Sequence, residues 1–147
     1  MQVRKILSLL ILSSLSTLLS AENQTAHPQK LALAGFQSGI YQTDKLFIAG
    51  QPLSNVAIKE LKRLGLTTIV NIRTTPEVTN RKLTPFDESA LSAALGLEYV
   101  HLPSGGKDTP YDPATVTAFA AVMDAADGKV LLHCASGRRA AHLWVAY

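Results

Sequence analysis

The chain has 147 residues, enough for one domain and too few for two of ordinary size. Its formal charge is +3, but two of its 14 basic residues and none of its 11 acidic ones precede Glu22. A chain cut there carries a net charge of about +1, which removes the argument for a nucleic-acid partner and leaves a modest single core.

Arg4 and Lys5 precede an apolar run from Ile6 to Leu19, and Ser20-Ala21 closes it with small residues. That is the layout of a secretory signal peptide. The run falls short of the roughly 20 residues that cross a bilayer, so an uncleaved anchor is the weaker reading. Leu19 stands where a small residue is preferred for a cut after Ala21. The expected plan is a signal peptide over 1–21, a flexible polar lead-in over 22–34, and one domain over 35–147. Such a chain is secreted, into the bacterial periplasm, with no stable membrane insertion once the segment is removed.

Leu46-Phe47-Ile48-Ala49 reads as a strand closed by the turn Gly50-Gln51-Pro52. Ser54 then caps a helix to Leu64, with Val56, Ile58, Leu61 and Leu64 at helical spacing and Gly65 as the stop. The β-branched run from Thr67 to Ile72 predicts a buried strand. Residues 73–84 are polar and loop-like. Thr84-Pro85 opens a helix that carries Asp87 and Glu88 in its first turn and ends at Gly96. Leu97 to Leu102 is a third strand, and a Gly-rich loop follows over 103–111. Asp112-Pro113 starts a helix through Val116, Phe119, Val122 and Met123. Lys129 to His133 is a fourth strand, and a final helix begins at about Arg139. That helix has little room before Tyr147, which predicts a domain trimmed at its C-terminus.

Strands alternating with helices imply a single layered α/β domain, with a mainly parallel sheet of four to five strands flanked by helices. Ligands of such sheets bind beyond the carboxyl ends of the strands. Cys134, Arg73 and the 103–111 loop all fall there.

Cys134 is the single cysteine, so no internal disulfide explains it. It follows a strand and turns through Gly137 into a helix, which points backbone N–H groups and a positive helix end at the thiol. Arg138 and Arg139 add fixed charge, and Arg139 offers a two-pronged grip on an oxyanion. His133 can stiffen the loop by hydrogen bonding. The features that favour a thiolate also attract phosphate or thiosulfate. No histidine or carboxylate cluster has metal-ligand spacing, so neither a metal nor a cofactor is expected.

The landmarks Gly50-Gln51-Pro52, Val70-Asn71-Ile72-Arg73, Leu97-Glu98-Tyr99-Val100-His101-Leu102-Pro103 and His133-Cys134-Ala135-Ser136-Gly137-Arg138-Arg139, running into Leu143-Trp144, stand in order along two thirds of the chain. Through them the sequence resembles the beta-lactamase-hydrolase-like phosphatase domain of the cysteine-dependent tyrosine and dual-specificity phosphatase superfamily. The resemblance implies a two-step hydrolysis of phosphate monoesters. Cys134 is the nucleophile, the loop amides of 135–138 and Arg139 hold the oxyanion, and a carboxylic acid protonates the leaving oxygen. Asp108 is the candidate acid, whereas Asp112, before Pro113, reads as a helix N-cap. Arg73 is either a further anion contact or a surface ion pair.

The chain departs from the common phosphatase loop at one point. Four residues rather than five separate Cys134 from Arg139, and the longer count lands on Ala140. A four-residue loop resembles that of rhodanese-type sulfurtransferases, which carry a persulfide. Three readings follow: an exported cysteine phosphatase, a sulfurtransferase or persulfide carrier on the same cysteine, and a catalytically weak anion-binding module. The partner is a small phosphorylated or sulfur-oxyanion molecule, or a phosphoprotein. The sequence does not fix the oligomeric state.

Overall fold

A computed structural model describes residues 27–147. The signal peptide expected over 1–21 and the start of the lead-in lie outside the described residues. The elements run, in order, β1 (Gln29–Lys30), β2 (Ile40–Gln42), β3 (Leu46–Ala49), α1 (Asn55–Arg63), β4 (Leu66–Asn71), α2 (Thr75–Thr79), α3 (Glu88–Leu95), β5 (Glu98–His101), α4 (Pro113–Ala125), β6 (Lys129–His133) and α5 (Arg138–Ala146).

One six-stranded sheet, ordered β1-β2-β3-β6-β4-β5, forms the middle layer. Strands β3, β6, β4 and β5 are parallel, and β1 and β2 add antiparallel at one edge. The α/β fold and its mainly parallel sheet are as expected, but the sheet has six strands rather than four to five, because β1 and β2 are not legible in the sequence. Both are too short to display a period: two residues for β1 and three for β2. Within the segment read as a polar lead-in, Gln29 and Lys30 pair with Gln42 and Tyr41.

Alternation along the central strands splits the core into two clusters. Phe47, Ile69 and Leu131 face Ala57, Ile58 and Leu61 of α1, with Leu91 and Leu95 of α3 packed against them. Ile48, Val70 and Leu132 face Phe119 and Met123 of α4 and Ala140 and Leu143 of α5. Strand β6 lies between β3 and β4, and Val130, Leu131, Leu132 and His133 are fully buried there. Such burial on both faces is typical of parallel strands.

Three helices differ from their predicted form. In α1 the buried stripe is Ala57, Ile58 and Leu61, while Val56 and Leu64 are exposed. At about 100° per residue Val56 lies on the far side from Ile58, and Leu64 is the C-cap. Helix α3 starts at Glu88 rather than at Pro85, because the Asp87 side chain accepts the Ala90 N–H (3.0 Å). The stretch 73–84 is not all loop, since it contains α2. Asp112 caps α4, accepting the Ala114 N–H at 2.8 Å.

The carboxyl ends of β3, β4, β5 and β6 lie along one edge. Beside them the segment 35–39 is stitched to residues 50–53. Gln37 N–H donates to Gln51 O (2.9 Å), Leu53 N–H donates to Gly35 O (2.8 Å), and Phe36 bridges Pro52.

Candidate active site

Cys134 follows the end of β6 and is 1% exposed. Its N–H points to Ala49 O (3.4 Å), and Ala135 O accepts the Gln51 N–H (2.9 Å), so the end of β3 supports the first half of the loop. Glycine is required at position 50, because a Cβ there would fall 1.8 Å from Gln37 O. Ser136 and Arg138 are exposed, and Gly137 turns the chain into α5.

At the loop's end, Arg139 Nη1 donates to Glu77 Oε2 (2.9 Å) and Nη2 to Glu77 Oε1 (2.7 Å). Nη1 also reaches Ser104 O (3.2 Å). Gly105 makes this approach possible, since a Cβ there would meet Arg139 Cδ at 2.7 Å. The pair is two-pronged and charge-assisted, the strong form of such contacts. Partial burial pushes the Glu77 carboxyl up, but hydrogen bonds from Arg139 and from the Thr74 N–H and hydroxyl, with the Arg139 charge, outweigh it and hold the pKa at about 2. Burial likewise pulls the Arg139 pKa down, and hydrogen bonding and charge from Glu77, then from Cys134, carry it above its ordinary value.

Glu77 owes its position to α2. Its carboxylate takes the Thr74 N–H (2.8 Å) and the Thr74 hydroxyl (2.9 Å), which closes the helix's first turn. A cavity of about 620 Å³ opens there, lined by Thr74, Glu77, Gly106, Asp108, Thr109 and Arg139 among others. Asp108 is exposed and shares this cavity with Arg139, while Cys134 is not among the lining residues.

Arg73 is not on the surface. It is 3% exposed, and Nη1 donates to Gln51 Oε1 (2.7 Å) and Leu83 O (2.9 Å). Its Nε lies 3.5 Å from Glu77 Oε1, the oxygen that also takes Arg139 Nη2. The expected surface ion pair is therefore a buried clamp joining the ends of β3 and β4 to α2.

His133 is fully buried, and its Nε2 meets Glu88 Oε2 at 3.0 Å. The same carboxylate accepts from Asn71 Nδ2 (2.8 Å) and from Gln51 Nε2. Burial raises the Glu88 carboxyl, and the His133 charge with hydrogen bonds from His133, Gln51 and Asn71 brings it below its ordinary value. His133 thus steadies the loop from below, through α3. Among the described residues no three His, Cys, Asp or Glu side chains gather as metal ligands, and no helix is long and apolar enough to cross a membrane.

Glu77 has no role assigned from the sequence, and Gln51 and Glu88 read only as part of a turn and a helix start. Glu77 had a legible signal, the Thr74-x-x-Glu77 capping box with Pro76 at the helix start. Glu88 had none, because acidic residues in a first turn are ordinary surface groups.

Residues 41–146 match the family described as beta-lactamase hydrolase-like protein, phosphatase-like domain. Beta-lactamase hydrolase-like proteins of Xylella fastidiosa (strain Temecula1) and Agrobacterium fabrum (strain C58) are 34% and 33% identical to the chain, each over 69% of it. The chain spans only 22% and 23% of their lengths. Among solved structures, a phosphatase-like protein of Shewanella putrefaciens CN-32 superposes with a TM-score of 0.61 at 26% identity, covering 76% of this chain and 67% of that one. P. aeruginosa TpbA, solved as a Cys-to-Ser variant with phosphotyrosine, superposes with a TM-score of 0.55 over 78% of this chain and 62% of its own. At 21% identity that likeness is one of fold.

Proposed function

The chain belongs to the phosphatase-like domain family of beta-lactamase hydrolase-like proteins, and from that premise we propose that it is an exported phosphatase that cleaves phosphate monoesters through a phosphocysteine on Cys134. One observation carries the reading: Cys134, just past the end of β6, and Arg139, in the first turn of α5, bound the same strand-to-helix turn.

In this reading the Cys134 thiolate attacks phosphorus, forming the S–P bond as the P–O bond to the leaving group breaks. Amides of 135–138 and Arg139 hold the equatorial oxygens. Glu77 and Ser104 engage the end of the guanidinium fork, which leaves Nε and the second Nη2 proton for the oxyanion. Asp108 gives its proton to the leaving oxygen. Water then cleaves the S–P bond, and the Asp108 carboxylate takes the water's proton. Asp112 is assigned no chemical role because it is engaged in capping α4. The substrate is an aryl or alkyl phosphate, with phosphotyrosine, the ligand of TpbA, as one member of the class.

A second reading rests on the loop's size. Four residues separate Cys134 from Arg139, and Ala140, where a five-residue count would end, is fully buried. In it Cys134 takes the outer sulfur of thiosulfate, forming an S–S bond and releasing sulfite. Cyanide then removes that sulfur as thiocyanate.

One experiment separates the two. Protein recovered from a bacterial periplasm, with a mass that reports a cut near Ala21, is incubated with an aryl phosphate and, separately, with thiosulfate plus cyanide. The expected result is phosphate release that Cys134→Ser abolishes. Release that persists in the variant ends the cysteine mechanism, and thiocyanate without phosphate moves the assignment to sulfur transfer. Full-length protein retained in the cell membrane ends the export reading.

A further inference from the structure

The cavity that Asp108 and Arg139 share lies against the loop's end; a second one, of about 490 Å³, lies against its first half, at Ala135 and Ser136. Buried Gln51 and Arg73 form its floor, and exposed Leu53, Lys82 and Leu83 stand at its rim. No Asp or Glu lines it. The counter-charge of Arg73 is Glu77, which lines the first cavity instead and spends both oxygens on Arg139.

Arg73 is short of partners. Its side-chain hydrogen bonds run through Nη1 alone, to two neutral acceptors, and its buried Nε has no hydrogen-bond partner among the described residues. A single carboxylate thus serves two arginines, with Lys82 beside them. A buried cation that is incompletely paired is costly, and an arriving anion relieves that cost.

We propose that this second cavity is an anion subsite, and that the natural substrate carries a second anionic group, held by Lys82 and Arg73 while the first sits in the Cys134 loop. The inference rests on the loop's reading as a phosphate site and adds the substrate class: a molecule with two anionic groups on a short spacer. Leu53 and Leu83, each 48% exposed, suit an apolar spacer.

The test uses phosphonates, which bind without turning over. The full chain is titrated by calorimetry with alkylphosphonates and with alkylene bisphosphonates of matched spacer length. A fixed pair of subsites predicts one spacer length at which the bisphosphonate binds about tenfold tighter than its single-headed counterpart. In Lys82→Ala that gain shrinks to about twofold, the statistical factor for two equal heads, while single-headed affinity is unchanged. No gain at any length, or a full gain in Lys82→Ala, overturns the second subsite and leaves the loop's assignment intact. Single-headed phosphonates that fail to bind overturn the loop's assignment itself. A similar gain for a peptide carrying a phosphonate mimic of phosphotyrosine with a flanking Glu, over one with Gln, assigns the second anion to protein substrates. A gain confined to the bisphosphonates assigns it to small molecules with two phosphates.

Discussion

Asp108 and Arg139 face one cavity from a loop and a helix, and the division of labour between them is testable residue by residue. If Asp108 is the proton donor, Asp108→Asn lowers kcat on alkyl phosphates by about 10²-fold and barely changes it on nitrophenyl phosphate, whose leaving oxygen needs no proton. Equal loss on both substrates removes Asp108 from the chemistry. Cys134 and Arg139 were legible in the sequence because the loop that joins them is local. Glu88 was not, because its partner His133 lies 45 positions along the chain, and Glu77 showed only its capping box, since Arg139 lies 62 positions away. Arg73 follows β4 as the strand order indicates, but it is buried and not in a surface ion pair. Its burial depends on Gln51 and Leu83, which no pattern around Arg73 announces.

At the scale of elements, Glu88 is the tie between helix and sheet. It opens α3, is 2% exposed, and accepts from β6 through His133, from β4 through Asn71, and from the end of β3 through Gln51. Glu88→Ala leaves three buried donors without their acceptor, and a loss of about 3 kcal/mol is expected from urea unfolding. A loss under about 1 kcal/mol, the size of one ordinary hydrogen bond, means that the network does not hold the helix. Strands β3, β4, β5 and β6 were legible because each holds apolar, aromatic or β-branched residues between Gly, Pro or loop signals. Helix α2 escaped because it has five residues and buries none of them, so it has no periodicity to detect.

The whole molecule should weaken in acid. Glu77, with a folded pKa of about 2 against 4.5, and Glu88, shifted the same way, each contribute stability that is complete above the ordinary carboxylate range. It is lost as pH falls through the folded values. The urea midpoint should therefore hold from pH 7 to about 5 and fall below it. The gap between wild type and Glu77→Gln should close over the same range. A gap that stays constant down to pH 2 shows that the charge on Glu77 adds no stability. The sheet's centre followed from alternating strands and helices, whereas its antiparallel edge did not. That edge has a consequence of its own. From the segment before β2, only two hydrogen bonds separate Gln37 from the loop: Gln37 to Gln51, then Gln51 to Ala135. Residues 35–39 therefore prop the backbone that seats Cys134, with Gln51 as the single intermediate.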